Sequence, residues 1–183
     1  MEDSDDQLLA RVARGDGFAF SRLVDRHRSK LIATATRIAG SRAIAEEVVQ
    51  ETFTRAWINA PRWRPQHEGR AGFAAWLMRV ATNLAIDQRR RARSVPFEEA
   101  AEPVDGEIAA DAKLVAEEDR RRLDAALAML PPRQRAAIAL TYDQGLSNAH
   151  GAEAMEISVG AFELLLVRAR RALRLAMTED EAP

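Results

Sequence analysis

Cysteine is absent from all 183 residues. That excludes disulfides, thiolate zinc sites and thiol nucleophiles. Histidine is sparse as well: His27, His67 and His150 lie far apart with no ligand-spaced partner, so no metal site is expected. Aromatic residues make up 5% of the chain and β-branched runs are short, which leaves little text for a sheet. No apolar run approaches the ~18 residues of a membrane span. The best stretch, 71–86, carries Arg79 in its middle. The chain opens Met1-Glu2-Asp3-Ser4-Asp5-Asp6, acidic where a secretory leader is basic, so a soluble, cytoplasmic protein is expected.

Catalytic constellations are missing too. Gly15-Asp16-Gly17 lacks the Lys-Ser/Thr of a phosphate loop, no Ser/His/Asp set is suggested, and the carboxylates cluster in unpatterned segments. Neither an enzyme nor a cofactor is expected.

What remains is a helix-forming vocabulary of Ala, Leu, Arg and Glu, with 47% apolar and 30% charged residues. The formal net charge of -1 conceals strong segregation. Residues 11–95 hold 17 Lys/Arg against 7 Asp/Glu, and 96–119 hold nine acids against Lys113 alone. Residues 120–178 hold nine arginines against five acids. Two basic blocks around an acidic one suit polyanion-binding modules joined by a polyanion-like strap; a salt-balanced surface is the plainer alternative.

The segment 94–119, with Pro96, Pro103 and Gly106, is the natural boundary. The expected architecture is all-α: a helical domain over 1–95, an acidic flexible linker over 96–112, and a second helical domain over 113–183. Asp3 or Ser4, then Asp16, Ser41, Ser147 and Ser158, are N-cap types ahead of apolar stripes. Long helices are expected over 43–59 and 71–93, with a loop between Pro61 and Gly69. Helix 114–130 stops at Pro131-Pro132, and Pro132 opens the next. The last two helices, joined by a short turn and arginine-rich at the end, read as a helix-turn-helix.

On helix 71–93 the stripe Arg79, Asn83, Ile86 and Arg90 lies about a quarter-turn from the core stripe of Phe73, Trp76, Leu77, Val80 and Leu84. An amide flanked by guanidiniums suits base-edge reading, with Arg89, Arg90, Arg91 and Arg93 on phosphates; a solvated helix end complementing its dipole is the alternative. Trp76 and Trp57 read as core. Trp63, in the loop, packs beneath it or receives an unstacked base. The polar side of helix 43–59, formed by Glu47, Gln50, Glu51 and Thr54, is either solvated or a docking face. Arg168, Arg170, Arg171 and Arg174 crowd the last helix and favour phosphate.

Together these residues resemble the extracytoplasmic-function (group 4) sigma factors of bacterial RNA polymerase. The matching text is Ala45-Glu46-Glu47-Val48-Val49-Gln50-Glu51-Thr52-Phe53 with Arg55-Ala56-Trp57, then Phe73-Ala74-Ala75-Trp76-Leu77 and Asn83-Leu84-Ala85-Ile86-Asp87. In the second half it is Leu130-Pro131-Pro132-Arg133-Gln134-Arg135, Gly145-Leu146-Ser147, Ile157-Ser158-Val159-Gly160 and Arg168-Ala169-Arg170-Arg171-Ala172-Leu173.

The resemblance implies a factor that binds core RNA polymerase and directs promoter recognition, opening and initiation, commonly under an anti-sigma factor. Glu47, Gln50, Glu51 and Thr54 then dock on the clamp helices of the largest subunit. The Trp63–Gly69 loop captures a flipped base of the downstream (minus ten) element, and Arg79 and Asn83 read its upstream edge, with Arg90 and Arg91 on phosphate. Ser158, Gly160, Glu163, Arg168 and Arg171 meet the upstream (minus thirty-five) element, and the acidic linker threads the RNA-exit path. Opening each base-pair step costs on the order of 1.4 kcal/mol in stacking, so the free factor is expected to bind promoter DNA poorly. A stand-alone helix-turn-helix regulator is the alternative, but it leaves residues 1–95 without a role.

Three features depart from the family pattern. Glu163, Leu164 and Leu165 stand early in the recognition helix, where basic or polar residues are common; Glu163 suits a cytosine amino group but repels phosphate. Glu156 stands in the turn where glycine is common. His150-Gly151 stands where alanines are usual, and a helical glycine costs about 1 kcal/mol.

Overall fold

A computed structural model describes residues 3–64, 72–94 and 112–178, which form eight α-helices with no strand among the described residues. Local chemistry sets most helix ends. Helix α1, Asp5–Val12, is opened by Ser4, whose hydroxyl accepts from the Gln7 N–H while the Gln7 side chain accepts from the Ser4 N–H. Asp16 accepts from the Ala19 N–H to cap α2, Gly17–Ala39, which ends on Gly40 at φ 74°. Leu23 and Leu31 are both buried along this one continuous helix. Ser41 caps α3, Arg42–Asn59, which runs into a short 3-10 turn, Ala60–Arg62. Helix α4 spans Phe73–Ser94.

Helices α1 to α4 share a core that includes Leu8, Leu9, Leu23, Leu31, Ile38, Val48, Phe53 and Leu77. The acidic N-terminus is part of this assembly. Asp3 pairs with Arg11 and Arg22, and Asp5 with Arg26 at 2.6 Å and His27 at 2.8 Å. The charge contrast between residues 1–10 and the basic block that follows is therefore a clip between α1 and α2.

The second group begins with α5, Ala112–Met129. The linker expected over 96–112 lies outside the described residues except for Ala112. Pro132 opens α6, Pro132–Ile138, as its first residue. The chain then widens into a π-turn, Ala139–Asp143, that the sequence pattern did not announce, and passes Gly145 at φ 65°. Ser147 caps α7, Asn148–Ala154, and Ser158 caps α8, Val159–Thr178. The turn between them holds Glu156 at φ 53°, a left-handed conformation that favours glycine.

Leu127, Leu140, Met155, Phe162 and Leu166 fill the core of this group, and it packs on the first group through α2–α6 and α4–α7 contacts. Arg135 is 1% exposed at that seam, donating to the carbonyls of Ala128 and Leu130. Arg37 of α2 bridges to Asp124 and Asp143, each at 3.0 Å.

Candidate nucleic-acid and polymerase interface

Helix α3 buries Ala45, Val48, Val49, Thr52, Phe53 and Ala56. Glu47, Gln50, Glu51 and Thr54 follow at the spacing of a second face, and all four are exposed. Glu51 pairs with Arg55 at 2.8 Å one turn on, and the Thr54 hydroxyl donates to the Gln50 carbonyl at 3.0 Å. Beside this face α2 and α3 leave an open groove of ≈ 550 Å³, lined by Phe20, Val24, Val49, Gln50, Phe53 and Trp57 among others. Trp57 corrects an expectation: it is 39% exposed rather than core, resting edge-on against Phe20 at 5.0 Å. Its position is about 100° around the helix from the centre of the buried stripe, which puts it at the groove's mouth.

Trp63 sits just after the 3-10 turn. Its indole N–H donates to Asp6 at 2.9 Å, and its ring meets Phe73 and Trp76 edge-on at 5.5 and 6.2 Å. The side chain is packed and its donor is occupied. Trp76 stacks on Phe73 at 6.1 Å. The remainder of the loop expected to receive a base, 65–69, lies outside the described residues.

On α4, Arg79 and Asn83 sit half-buried on one stripe, close to the turn between α7 and α8. The Asn83 amide donates to Glu156 Oε2 at 3.1 Å, and Arg79 lies 3.9 Å from Glu156 Oε1. A carboxylate from the second group of helices thus occupies the amide-and-guanidinium pair read as base-reading. Sequence reasoning flagged Glu156 only for its backbone; nothing local in the sequence announced this pairing over 73 positions. Further along, Arg90 and Arg91 are exposed, Arg90 with Asp87 at 3.2 Å.

On α8 the buried side is Phe162, Leu166 and Ala169. Arg168, Arg171 and Arg174 are exposed and form no ion pair among the described residues. Arg170 is engaged, donating to the Tyr142 hydroxyl at 2.9 Å with its guanidinium over that ring. The Ser158 hydroxyl is committed to its cap, accepting from Ala161 N–H at 3.2 Å, and Gly160 faces open space. Asn148 of α7 donates to Glu163 Oε1 at 3.1 Å. Leu164 and Val167 point outward, while Leu165 packs partly against the core. Val167 was missed, although counting three residues on from Leu164 finds it.

The Asp16–Arg11 pair supports the corner between α1 and α2. Hydrogen bonding from the Ala19 N–H, then from Arg11, holds the Asp16 carboxyl below its ordinary range, and the same pairing raises Arg11. Among the described residues no group of three or more His, Cys, Asp or Glu is placed to hold a metal ion, and no helix is long and apolar enough to cross a membrane.

A helical module with separate acidic and basic faces, followed by a helix-turn-helix with a basic outer side, is the architecture of a transcription initiation factor. Residues 23–95 match the family model of sigma-70 region 2, and residues 120–173 that of sigma-70 region 4. The ECF RNA polymerase sigma factor SigL of Mycobacterium tuberculosis is 36% identical over 182 residues, 93% of this chain and 97% of that protein. SigW of Bacillus subtilis, also an ECF RNA polymerase sigma factor, is 30% identical over 178 residues, 91% and 92% of the two chains.

Among solved structures, CnrH in complex with the cytosolic domain of CnrY superposes with TM-score 0.68 at 29% identity, over 98% of this chain and 100% of that one. The sigma factor RpoE in complex with the anti-sigma factor NepR from Bartonella quintana gives 0.67 at 25% identity, over 88% and 98%. The chain belongs to the ECF sigma factors. It is a non-enzymatic initiation factor that works with core RNA polymerase on promoter DNA, and the region 2 match does not favour the stand-alone regulator.

Proposed function

We propose a division of labour among three helices. The exposed face of α3, with Glu47, Gln50, Glu51 and Thr54, seats the clamp helices of the polymerase's largest subunit, and Trp57 and the apolar groove beside it take that partner's apolar side chains. Helix α4 reads the upstream edge of the downstream promoter element with Arg79 and Asn83, and Arg90 and Arg91 hold phosphate. Helix α8 enters the major groove of the upstream element, where Ser158, Gly160 and Glu163 lie at its leading end and Arg168 and Arg171 on its flank. The loop from Trp63 to Gly69 takes the flipped base.

The observation that carries this reading is the sorting of charge by face: carboxylates and amides border the groove on α3, while guanidiniums without ion pairs among the described residues stand out from α8. Capture on immobilised core polymerase tests it. Gln50→Ala together with Glu47→Ala should abolish capture while leaving helicity unchanged; undiminished capture would overturn the assignment of α3.

The second part of the proposal is control by an anti-sigma factor; the similar sigma factor RpoE was solved in complex with one, NepR, from Bartonella quintana. A cleft of ≈ 730 Å³ between α4 and α7, lined by Trp76, Arg79, Leu146 and His150 among others, supports a seat for one between the two domains.

A further inference from the structure

The outward side of α8 is apolar at the end that leads. Leu164 is 48% exposed and Val167 is 59% exposed, one turn apart on one face. The core draws Phe162, Leu166 and Ala169 from the opposite side. Gly160, at the head of the same stripe, has open space where a Cβ would stand. Arg171 continues the stripe one turn on, with Arg168 and Arg174 to either side, none of them in an ion pair among the described residues.

This strip asks for an apolar floor between anionic walls. A major groove containing thymines is such a surface, since C5 methyl groups project from its floor and phosphates line its rims. Guanine, whose O6 and N7 are usually met by arginine or lysine, finds no donor side chain at positions 160, 163, 164 or 167. Burying those acceptors unpaired is costly, and the carboxylate of Glu163 repels them further. Glu163 is fixed by Asn148 through Oε1, which leaves Oε2 without a hydrogen bond among the described residues and suited to a cytosine amino group.

We propose that α8 reads the upstream promoter element through thymine methyl groups, with Leu164 and Val167 as the specificity-determining residues and Glu163, braced by Asn148, accepting from a flanking cytosine. The proposal rests on the reading of α8 as the major-groove helix. A protein with an apolar, acidic face is the competing occupant; the narrow width of the strip and its arginine margins favour DNA.

Holoenzyme reconstituted from core polymerase and the full chain tests this on promoters with a randomised upstream element. Selected promoters should carry thymines at the positions facing α8. Replacing each by deoxyuridine removes one methyl and should lower open-complex formation about fourfold. Replacing it by 5-methylcytosine should retain more activity than cytosine does. Leu164→Ala and Val167→Ala should each erase the deoxyuridine penalty at one position. Both side chains are exposed, so these variants should melt as the wild type does. Arg171→Ala should weaken all templates equally.

Holoenzyme that initiates but treats deoxyuridine as thymine overturns the proposal. So does a pair of alanine variants that keep full methyl discrimination while losing hold of a protein inhibitor. Failure to initiate on any template with core polymerase would instead remove the assignment of α8 on which the proposal stands.

Discussion

Gly151 is placed where a helix loses about 1 kcal/mol relative to alanine, yet its replacement is blocked. A Cβ there would stand 2.3 Å from Cζ of Phe162, a ring with no exposed surface of its own. Crowding of this kind costs about 1–3 kcal/mol and outweighs the gain in helix propensity. Gly151→Ala should therefore lower the urea midpoint of the full chain, and Phe162→Leu should reverse the sign of the alanine effect by opening the space. A stabilising Gly151→Ala in the otherwise native chain would show that the ring is not held there.

The oddity of Gly151 was visible in the sequence. Its reason was not, because the ring that fills the missing side chain's place comes from another helix. Asp16, by contrast, was legible as a cap from residue type alone. Because its folded-state affinity for a proton is depressed by the Ala19 N–H and then by Arg11, its contribution to stability is full above about pH 4, the ordinary carboxyl value. That contribution is lost as pH falls through the lower folded value. Asp16→Asn keeps a cap acceptor without the charge, so its melting temperature should lie below the wild type at neutral pH and converge on it in acid. A gap that stays constant as the solution is acidified below the ordinary carboxyl range would assign the effect to something other than this carboxylate.

Among the elements, apolar periodicity marked out the helices, and side-chain caps agree with it at α1, α2, α3, α7 and α8. Faces were harder. Trp57 belongs by composition to the buried stripe of α3 but lies off its centre, and nothing in its own residues announced the π-turn Ala139–Asp143. The two helices proposed to read promoter DNA should respond differently to substitution. Asn83 offers a directional amide, so Asn83→Ala should relax base preference at the upstream edge of the downstream element, seen as a flatter profile across single-base promoter variants. Arg171 offers charge, so Arg171→Ala should weaken holoenzyme binding by the same factor on every sequence and reduce the salt slope by about 0.9. If Asn83→Ala lowers all promoters equally, α4 contributes only charge.

In the whole molecule, α4 and α8 are presented by two groups of helices that close on one another, and Glu156 of one holds Asn83 of the other at 3.1 Å. On the proposed division of labour, the two helices take promoter elements separated along a duplex, which calls for that seam to open. Exposed pairs such as Arg37–Asp143 contribute roughly 0–1 kcal/mol each, so opening is governed more by the gain on binding polymerase and DNA. The lack of native cysteine allows a direct test. Arg37→Cys with Asp143→Cys, joined by a short bis-maleimide, ties the two groups at a point away from α3 and from the reading faces of α4 and α8. The tied protein should still be captured by core polymerase through α3 yet should fail to initiate, while the same double variant before cross-linking should initiate near the wild-type level. Initiation by the tied protein would mean that the closed form reads promoters as it stands, and that Asn83 exchanges Glu156 for a base without separation of the two groups.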